Sequence, residues 1–441
     1  DGLVGSEMCI RDSGLLPSLG AHRGGHRPHD RRRSVGRRNG RREQHQAERG
    51  GDRPQRARPQ RHDVTVGLRL ADLSRPRVQL YLADVPHVTT SPTAAPPEFP
   101  LARVHEAIAA ARPDDDCLVF RNRRFTWSEV TDRTRRLANH LIGRGLGVRT
   151  ERGALPGHES GQDHLAIYLH NGNEYLESML GALKARVVSL NVNYRYVAEE
   201  LAYLLADADA RAIVVHSCFT PTLAEVLPSL PHLDVILQVP DESGHDLVAG
   251  AIWYEDALAA ASPEKPTVEW SGDDLYLLYT GGTTGMPKGV MWRNVDALYE
   301  CFGGTPTAET LDDLVTEAAT GLRALPAPPF MHGAAHWVAF RVWLGGGTVF
   351  VQSRPEHLDP ADIWSVVERE QLNFVLIVGD AFARPLLDEL SRTTYDLSSL
   401  TVLLSGGAAL SAPLTEEFLS HLPTLMVVDG LGSSETGGQA S

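Results

Sequence analysis

From Leu101 to its end, the chain alternates short apolar runs with amphipathic stretches, and this rhythm constrains its fold more than any other feature. HLAIYLH (His164 to His170), VVSLNVN (Val187 to Asn193), RAIVVHS and LDVILQV read as strands. Between the first two, Asn173 is placed to cap a helix on which Tyr175, Leu176, Met179, Leu180 and Leu183 share a face. YVAEELAYLLADADA and the stretch from Leu223 to Leu230 supply further helices. The rhythm resumes after Asp274, with LYLLYT, GTVFV, NFVLIV, LTVLLS and LMVVDG as strands and DIWSVVEREQ and LTEEFLSHL as helices. Strands alternating with helices predict parallel sheets covered on both faces. Two such runs predict two packed α/β subdomains, with ligands at the carboxyl ends of their strands.

The residues before Leu101 are of another kind. Between Gly20 and His62 there are 14 Arg against 4 Asp or Glu, so the net charge of −14 divides into +10 there and −24 elsewhere. With almost no apolar side chains, this head cannot bury enough surface to offset its conformational entropy. Residues 1–63 are therefore expected to be disordered. A basic nucleic-acid arm and an Arg-rich transit peptide are two readings of them; a non-native extension, with the Arg, Gly, His and Pro mixture of GC-rich DNA read in a wrong frame, is the preferred one. Residues 64–100, ending in SPTAAPPEFP, read as a linker, and 101–441 as the globular body. The acidic balance of that body argues against a nucleic-acid partner. Cys9, Cys117, Cys218 and Cys301 form no CxxC pair, so neither a zinc site nor a disulfide framework is expected and a reducing, cytoplasmic compartment fits. No window approaches the ~18–20 continuous apolar residues of a membrane span, and Gly14 to Ala21 is too short for a secretory signal.

LYLLYTGGTTGMPKGVMWRN, Leu275 to Asn294, carries the most chemistry. An apolar strand opens into Thr280, Gly281, Gly282, Thr283, Thr284 and Gly285, where missing β-carbons let backbone N–H groups approach a ligand. The threonine hydroxyls add donors, and Lys288 supplies a point charge suited to phosphate. It is not a Walker A loop, because Pro287 precedes the lysine and Gly289 follows it. A flexible surface turn is the bland alternative, and the Pro-Lys-Gly exit after an apolar strand disfavours it.

YTGGTTGMPKGV resembles the signature of the adenylate-forming superfamily, which comprises acyl- and aryl-CoA synthetases, beetle luciferases and peptide-synthetase adenylation domains. FTWSEV (Phe125 to Val130), GALKARVVSLNVNYRYVAEEL (Gly181 to Leu201), PAPPFMHGAAHW (Pro326 to Trp337), SGGAAL (Ser405 to Leu410) and GLGSSETGG (Gly430 to Gly438) resemble further motifs in the family's order. The resemblance implies the large N-terminal domain of that fold, two α/β subdomains with mixed sheets. The ribose-binding Asp, the hinge, the catalytic lysine and the small C-terminal domain are expected beyond Ser441. It implies ATP and CoA as substrates and Mg²⁺ as cofactor, with Glu435 as the metal ligand and Ser434 beside the α-phosphate. Gly406, Gly407 and Ala408, with Gly430, Leu431 and Gly432, are expected to meet the adenine. Leu431 stands where the family often has a stacking tyrosine. Lys288, His332, Ser434 and Glu435 are the expected catalytic set, with His332 beside the acyl carboxylate. His336 reads as structural, Met331 and Trp337 as core or pocket lining, and Arg195 as a match to the pattern or a solvated arginine.

The chemistry explains the residue types, since a carboxylate displacing pyrophosphate from ATP brings two anions together and needs positive charge and fixed geometry. PPFMHGAAHW offers no carboxylate to pair a substrate ammonium, which would be costly to bury alone. A fatty or steroid side-chain acid activated to an acyl-CoA is thus the preferred reading. An aryl-CoA ligase, another adenylate-forming enzyme or an inactive nucleotide-binding fragment are the alternatives.

Overall fold

A computed structural model describes residues 98–281, 286–304 and 307–440. The expectations for residues 1–63 and for most of the 64–100 linker lie outside the described residues, as do those for Gly282, Thr283, Thr284 and Gly285.

Helix α1 (Leu101–Ala111) starts behind Pro100 and leads into an antiparallel hairpin, β1 (Asp116–Phe120) and β2 (Arg123–Thr126). Thr126 then caps α2 (Trp127–Gly143): its hydroxyl accepts from Glu129 N at 3.2 Å while the Glu129 carboxylate accepts from Thr126 N at 2.8 Å. This capping box satisfies two otherwise orphaned donors at the helix start. The first α/β run follows as β3 (His164–Tyr168), α3 (Asn173–Ala185), β4 (Val188–Asn191), α4 (Ala198–Asp207), β5 (Ala210–His216), α5 (Thr220–Val226), β6 (Val235–Val239), β7 (Ala251–Trp253) and α6 (Tyr254–Ala260). An antiparallel ribbon, β8 (Leu275–Thr280) and β9 (Lys288–Arg293), leads through α7 (Asn294–Glu300) and α8 (Leu311–Glu317) into the second run. That run is β10 (Arg323–Pro326), α9 (Gly333–Leu344), β11 (Thr348–Val351), α10 (Pro360–Glu370), β12 (Phe374–Ile377), α11 (Gly379–Leu390), β13 (Val402–Gly406), α12 (Ala412–His421), β14 (Met426–Ser433) and β15 (Gly437–Ala440).

The first run forms a five-stranded parallel sheet in the order β4-β3-β5-β6-β7. The second forms an eight-stranded sheet, β15-β14-β13-β12-β10-β11-β1-β2, parallel inside with an antiparallel hairpin at each edge. The expected α/β class with mixed sheets is therefore present. The β1–β2 hairpin, which precedes the first run in sequence, belongs to the second sheet through the pairing of β1 with β11.

Two expectations about α3 need correction. Gly172, not Asn173, occupies the N-cap, and Asn173 sits inside the first turn. There its Nδ2 donates to Glu177 Oε1 at 2.9 Å, so the side chain bonds one turn onward instead of to the helix start. Nor does α3 present a single apolar face, since every one of its residues is buried. It packs so closely against α2 that a β-carbon on Gly181 would lie 2.6 Å from Leu137 Cδ2.

The ribbon is pinned by two cores at once. Leu275, Leu277 and Tyr279 of β8 join the cluster that covers the five-stranded sheet with α4 and α5, whereas Tyr276 and Leu278 join the central cluster with α1, α2 and α9. Successive side chains point to opposite faces, so an unbroken apolar run is what a strand buried on both sides requires. A slip of one residue would exchange the two sets, which holds the register of β8.

Candidate active site

At the end of the ribbon Thr280 lies opposite Lys288, and directly opposed residues of an antiparallel pair project on one face. Lys288 is exposed there. The chain has three lysines. Lys184 is wholly buried with Nζ 2.7 Å from Glu106 and 2.9 Å from Thr134 Oγ1, and burial lowers its pKa to about 8. Lys265 lies over the Trp270 ring at 4.6 Å. Of the three, Lys288 is the lysine at the end of the ribbon, opposite Thr280.

The carboxyl end of β4 holds this strand end in place. Asn191 accepts from Tyr279 N at 2.7 Å and donates to Tyr279 O at 2.9 Å and to Met331 O at 2.7 Å. Just past the end of β3, Asn171 donates to Pro328 O at 2.9 Å and accepts from Phe330 N at 2.6 Å. Both side chains are buried. The Tyr279 hydroxyl donates to Asp207 Oδ2 at 2.8 Å at the end of α4.

The segment gripped by these asparagines leads into His332, the N-cap of α9, whose N–H donates to Pro329 O at 3.0 Å and whose side chain is half-buried. One turn on, His336 is buried and fully engaged. Its Nδ1 lies 2.7 Å from the Phe330 carbonyl and must donate to it, which leaves Nε2 to accept from the Tyr276 hydroxyl. That hydroxyl accepts in turn from Trp337 Nε1 at 2.8 Å. Burial, helped by the nearby His332, pushes the His336 pKa down to about 4, against the smaller opposing pull of the Phe330 carbonyl. Both ring nitrogens are thus engaged within the protein. Met331 is buried and Trp337 half-buried. Arg195 is exposed, its guanidinium 5.9 Å from the Tyr194 ring centroid.

On the other sheet β13 and β14 run side by side with Gly406 opposite Gly430. The turn after β13 uses Gly407 at φ +88°, a conformation that disfavours a β-carbon. Ser405, buried beneath it, accepts from Gly379 N at 3.1 Å. Gly406, Gly407, Ala408 and Gly430 are thus neighbours at the carboxyl edge of the sheet. Leu431 is 65% exposed, the highest value for a large apolar side chain among the described residues. Ser434 and Glu435 lie in the turn between β14 and β15, closed by a 2.8 Å contact between the Ser433 and Thr436 hydroxyls. Trp292 of β9 donates to Ser434 O at 2.8 Å, tying this turn to the ribbon. A β-carbon on Gly437 would lie 2.5 Å from Glu300 O, so the turn also sits against the end of α7.

The structure therefore joins two of the expected segments to the ribbon. Asn191 links it to the His332 segment and Trp292 links it to the Ser434–Glu435 turn. Asn171, Asn191 and Trp292 escaped the sequence reading, although a polar residue closing an apolar run marks both asparagines. Glu435 is exposed, and among the described residues no group of three or more His, Cys, Asp or Glu is gathered as a metal site. A lone carboxylate fits a cation held mainly by a ligand's own phosphate oxygens.

Residues 105–441 match the AMP-binding enzyme family. The chain belongs to that family. It is 47% identical over 348 residues to the medium-chain acyl-CoA ligase Mig of Mycobacterium avium, covering 77% of this chain and 63% of that protein. It is 38% identical over 339 residues to the 3-oxocholest-4-en-26-oate–CoA ligase of Rhodococcus rhodochrous, covering 74% and 58%. The chain thus spans about three fifths of the length of these curated relatives. Among solved structures, the N-terminal domain of FACL13 from Mycobacterium tuberculosis superposes with a TM-score of 0.62 at 20% identity, over 76% of each chain. The anthranilate CoA ligase AuaEII in complex with anthranoyl-AMP gives a TM-score of 0.63, at 20% identity, over 77% of this chain and 60% of that one. At that identity the likeness is one of fold. In this AMP-binding family member, no helix among the described residues is long and apolar enough to cross a membrane.

Proposed function

We propose that this AMP-binding enzyme supplies the nucleotide and acid site of an acyl-CoA ligase, which joins a fatty or steroid side-chain acid to ATP as an acyl-adenylate and then passes the acyl group to CoA. The observation that carries this reading is the convergence of the phosphate-loop ribbon, the His332 segment and the Ser434–Glu435 turn through Asn191 and Trp292. Thr280, Gly281 and Lys288, with Gly282, Thr283, Thr284 and Gly285, would hold the phosphates. Gly406, Gly407 and Ala408, with Gly430, Leu431 and Gly432, would meet the adenine. Ser434 would reach the α-phosphate, with His332 between it and the acid. Glu435 is the residue to hold Mg²⁺, which when bound neutralises phosphate charge. The relatives' names support an acid of the medium-chain or sterol side-chain kind. The absence of an acidic residue from Pro328 to Trp337 disfavours one that carries an ammonium group.

Non-hydrolysable acyl-sulfamoyl adenosines, one each with a decanoyl, steroid side-chain, benzoyl or aminoacyl group, test the reading by calorimetry. Tightest binding of the decanoyl or steroid analogue is expected. Preference for the benzoyl or aminoacyl analogue would overturn the acid class, and binding of none would overturn the adenylate-forming reading itself.

A further inference from the structure

We infer that Asn191 is a positioning residue that holds the end of β8, where the proposed phosphate loop opens, and the His332 segment at a set spacing, an inference that rests on the proposed adenylate-forming reading. A primary amide has two N–H donors and one oxygen acceptor. Asn191 gives its donors to two carbonyls, Tyr279 O and Met331 O, and takes the Tyr279 N–H on its oxygen. Tyr279 therefore satisfies both of its backbone polar groups on one side chain. Tyr279 is one residue before Thr280, where the phosphate loop opens, and Met331 is one residue before His332. The amide thus stands one residue from each of two groups proposed to act on the same phosphate-bearing intermediate.

Its base is rigid. Asn191 is the last residue of β4, in register with Ile167 of β3, and is 9% exposed. Asn171 provides an internal comparison: it grips the same segment at Pro328 and Phe330 from just past the end of the neighbouring strand β3, and its amide bonds go to that segment. Loss of Asn171 should loosen the His332 segment, whereas loss of Asn191 should also free the ribbon end. In-line attack on a phosphate depends steeply on such spacing.

Calorimetry well below each unfolding temperature, with ATP and with a decanoyl-sulfamoyl adenosine as the two probes, tests this in the native protein and in Asn191→Ala, Asn191→Ser and Asn171→Ala. Asn191→Ser replaces the amide by one shorter hydroxyl, which can donate to at most one of the two carbonyls. Both Asn191 variants are expected to weaken both probes by about tenfold, the scale of a lost buried hydrogen bond. Asn171→Ala is expected to weaken the adenylate analogue and to change ATP affinity by less than about threefold. Folded Asn191 variants with both affinities within about twofold of the native value would leave Asn191 a purely structural residue and overturn the inference.

Hydrogen exchange on the native protein reads the same coupling without any variant. Magnesium pyrophosphate, which carries neither adenine nor an acyl group, should protect residues 328–336 together with 276–291. Protection confined to 276–291 would overturn the coupling. A native protein that bound neither ATP nor the adenylate analogue would instead sink the functional reading on which the inference rests.

Discussion

Glu177 has no exposed surface and is ionically paired, which makes Arg133 the residue on which it depends. Arg133 Nε and Nη2 lie 2.7 and 2.9 Å from the two Glu177 oxygens, with the Tyr254 hydroxyl at 3.0 Å and Asn173 Nδ2 at 2.9 Å completing the shell. Arg133→Ala should cost about 3–5 kcal/mol in denaturant unfolding, because it leaves a buried charge uncompensated. Replacing Arg133 and Glu177 together by Met should cost much less. His336 sets a pH dependence of defined sign. Its folded pKa of about 4 lies below the ordinary 6.5, so between those values the unfolded chain binds the proton that the folded chain refuses. Stability is full above pH 6.5 and falls as pH drops toward 4, by about 3 kcal/mol from this buried group. His216, lowered to about 3 chiefly by burial, adds a loss of the same sign. A His336→Gln variant should show a shallower stability decline across this range; an unchanged slope would refute the assignment. The chemical identities of Lys288, His332 and Glu435 were legible as motif members, whereas the engagement of His336 by Phe330 and Tyr276 needed the folded chain.

Where elements meet, glycines and single hydrogen bonds decide the geometry. An alanine at Gly181 would gain about 1 kcal/mol of helix propensity, yet its β-carbon would fall within 2.9 Å of three Leu137 side-chain atoms. Overpacking should win, with Gly181→Ala destabilising by about 1–3 kcal/mol and Leu137→Ala partly rescuing it in a double-mutant cycle. A stabilised single variant would mean that α2 and α3 part easily. Trp292→Phe keeps an apolar ring and removes the donor to Ser434 O. It should weaken ATP several-fold with little effect on the unfolding temperature, and unchanged ATP affinity would show that the turn needs no tether. The α/β rhythm revealed β3 to β6, β8, β11 to β14, and helices α3, α4, α5, α10 and α12. It missed β1, β2, β7, β9, β10 and β15, which are short or carry charged residues, so no apolar period stands out in them.

Across the whole described body the two runs are not separable units. The β1–β2 hairpin lies at the edge of the eight-stranded sheet, with Leu118, Val119 and Phe120 in register with Val349, Phe350 and Val351. A fragment of residues 98–272 would retain the five-stranded sheet and leave β1 without β11. It should lack a cooperative unfolding transition in calorimetry; a sharp one would show that the first run folds alone. By itself the sequence determined the parallel α/β class, because burial on both faces demands apolar strands between amphipathic helices. Its glycine, threonine and lysine run after β8 also marked a candidate phosphate loop, to which the resemblance to the adenylate-forming superfamily added Glu435. Tertiary structure alone decided which sheet receives the first hairpin and which side chains join the motifs. Asn191 reaches 88 residues to Tyr279 and 140 to Met331, and Trp292 reaches 142 to Ser434. Such bonds leave no local period in the chain, since they form only after the packed sheets have brought distant carbonyls within reach of one amide or one indole.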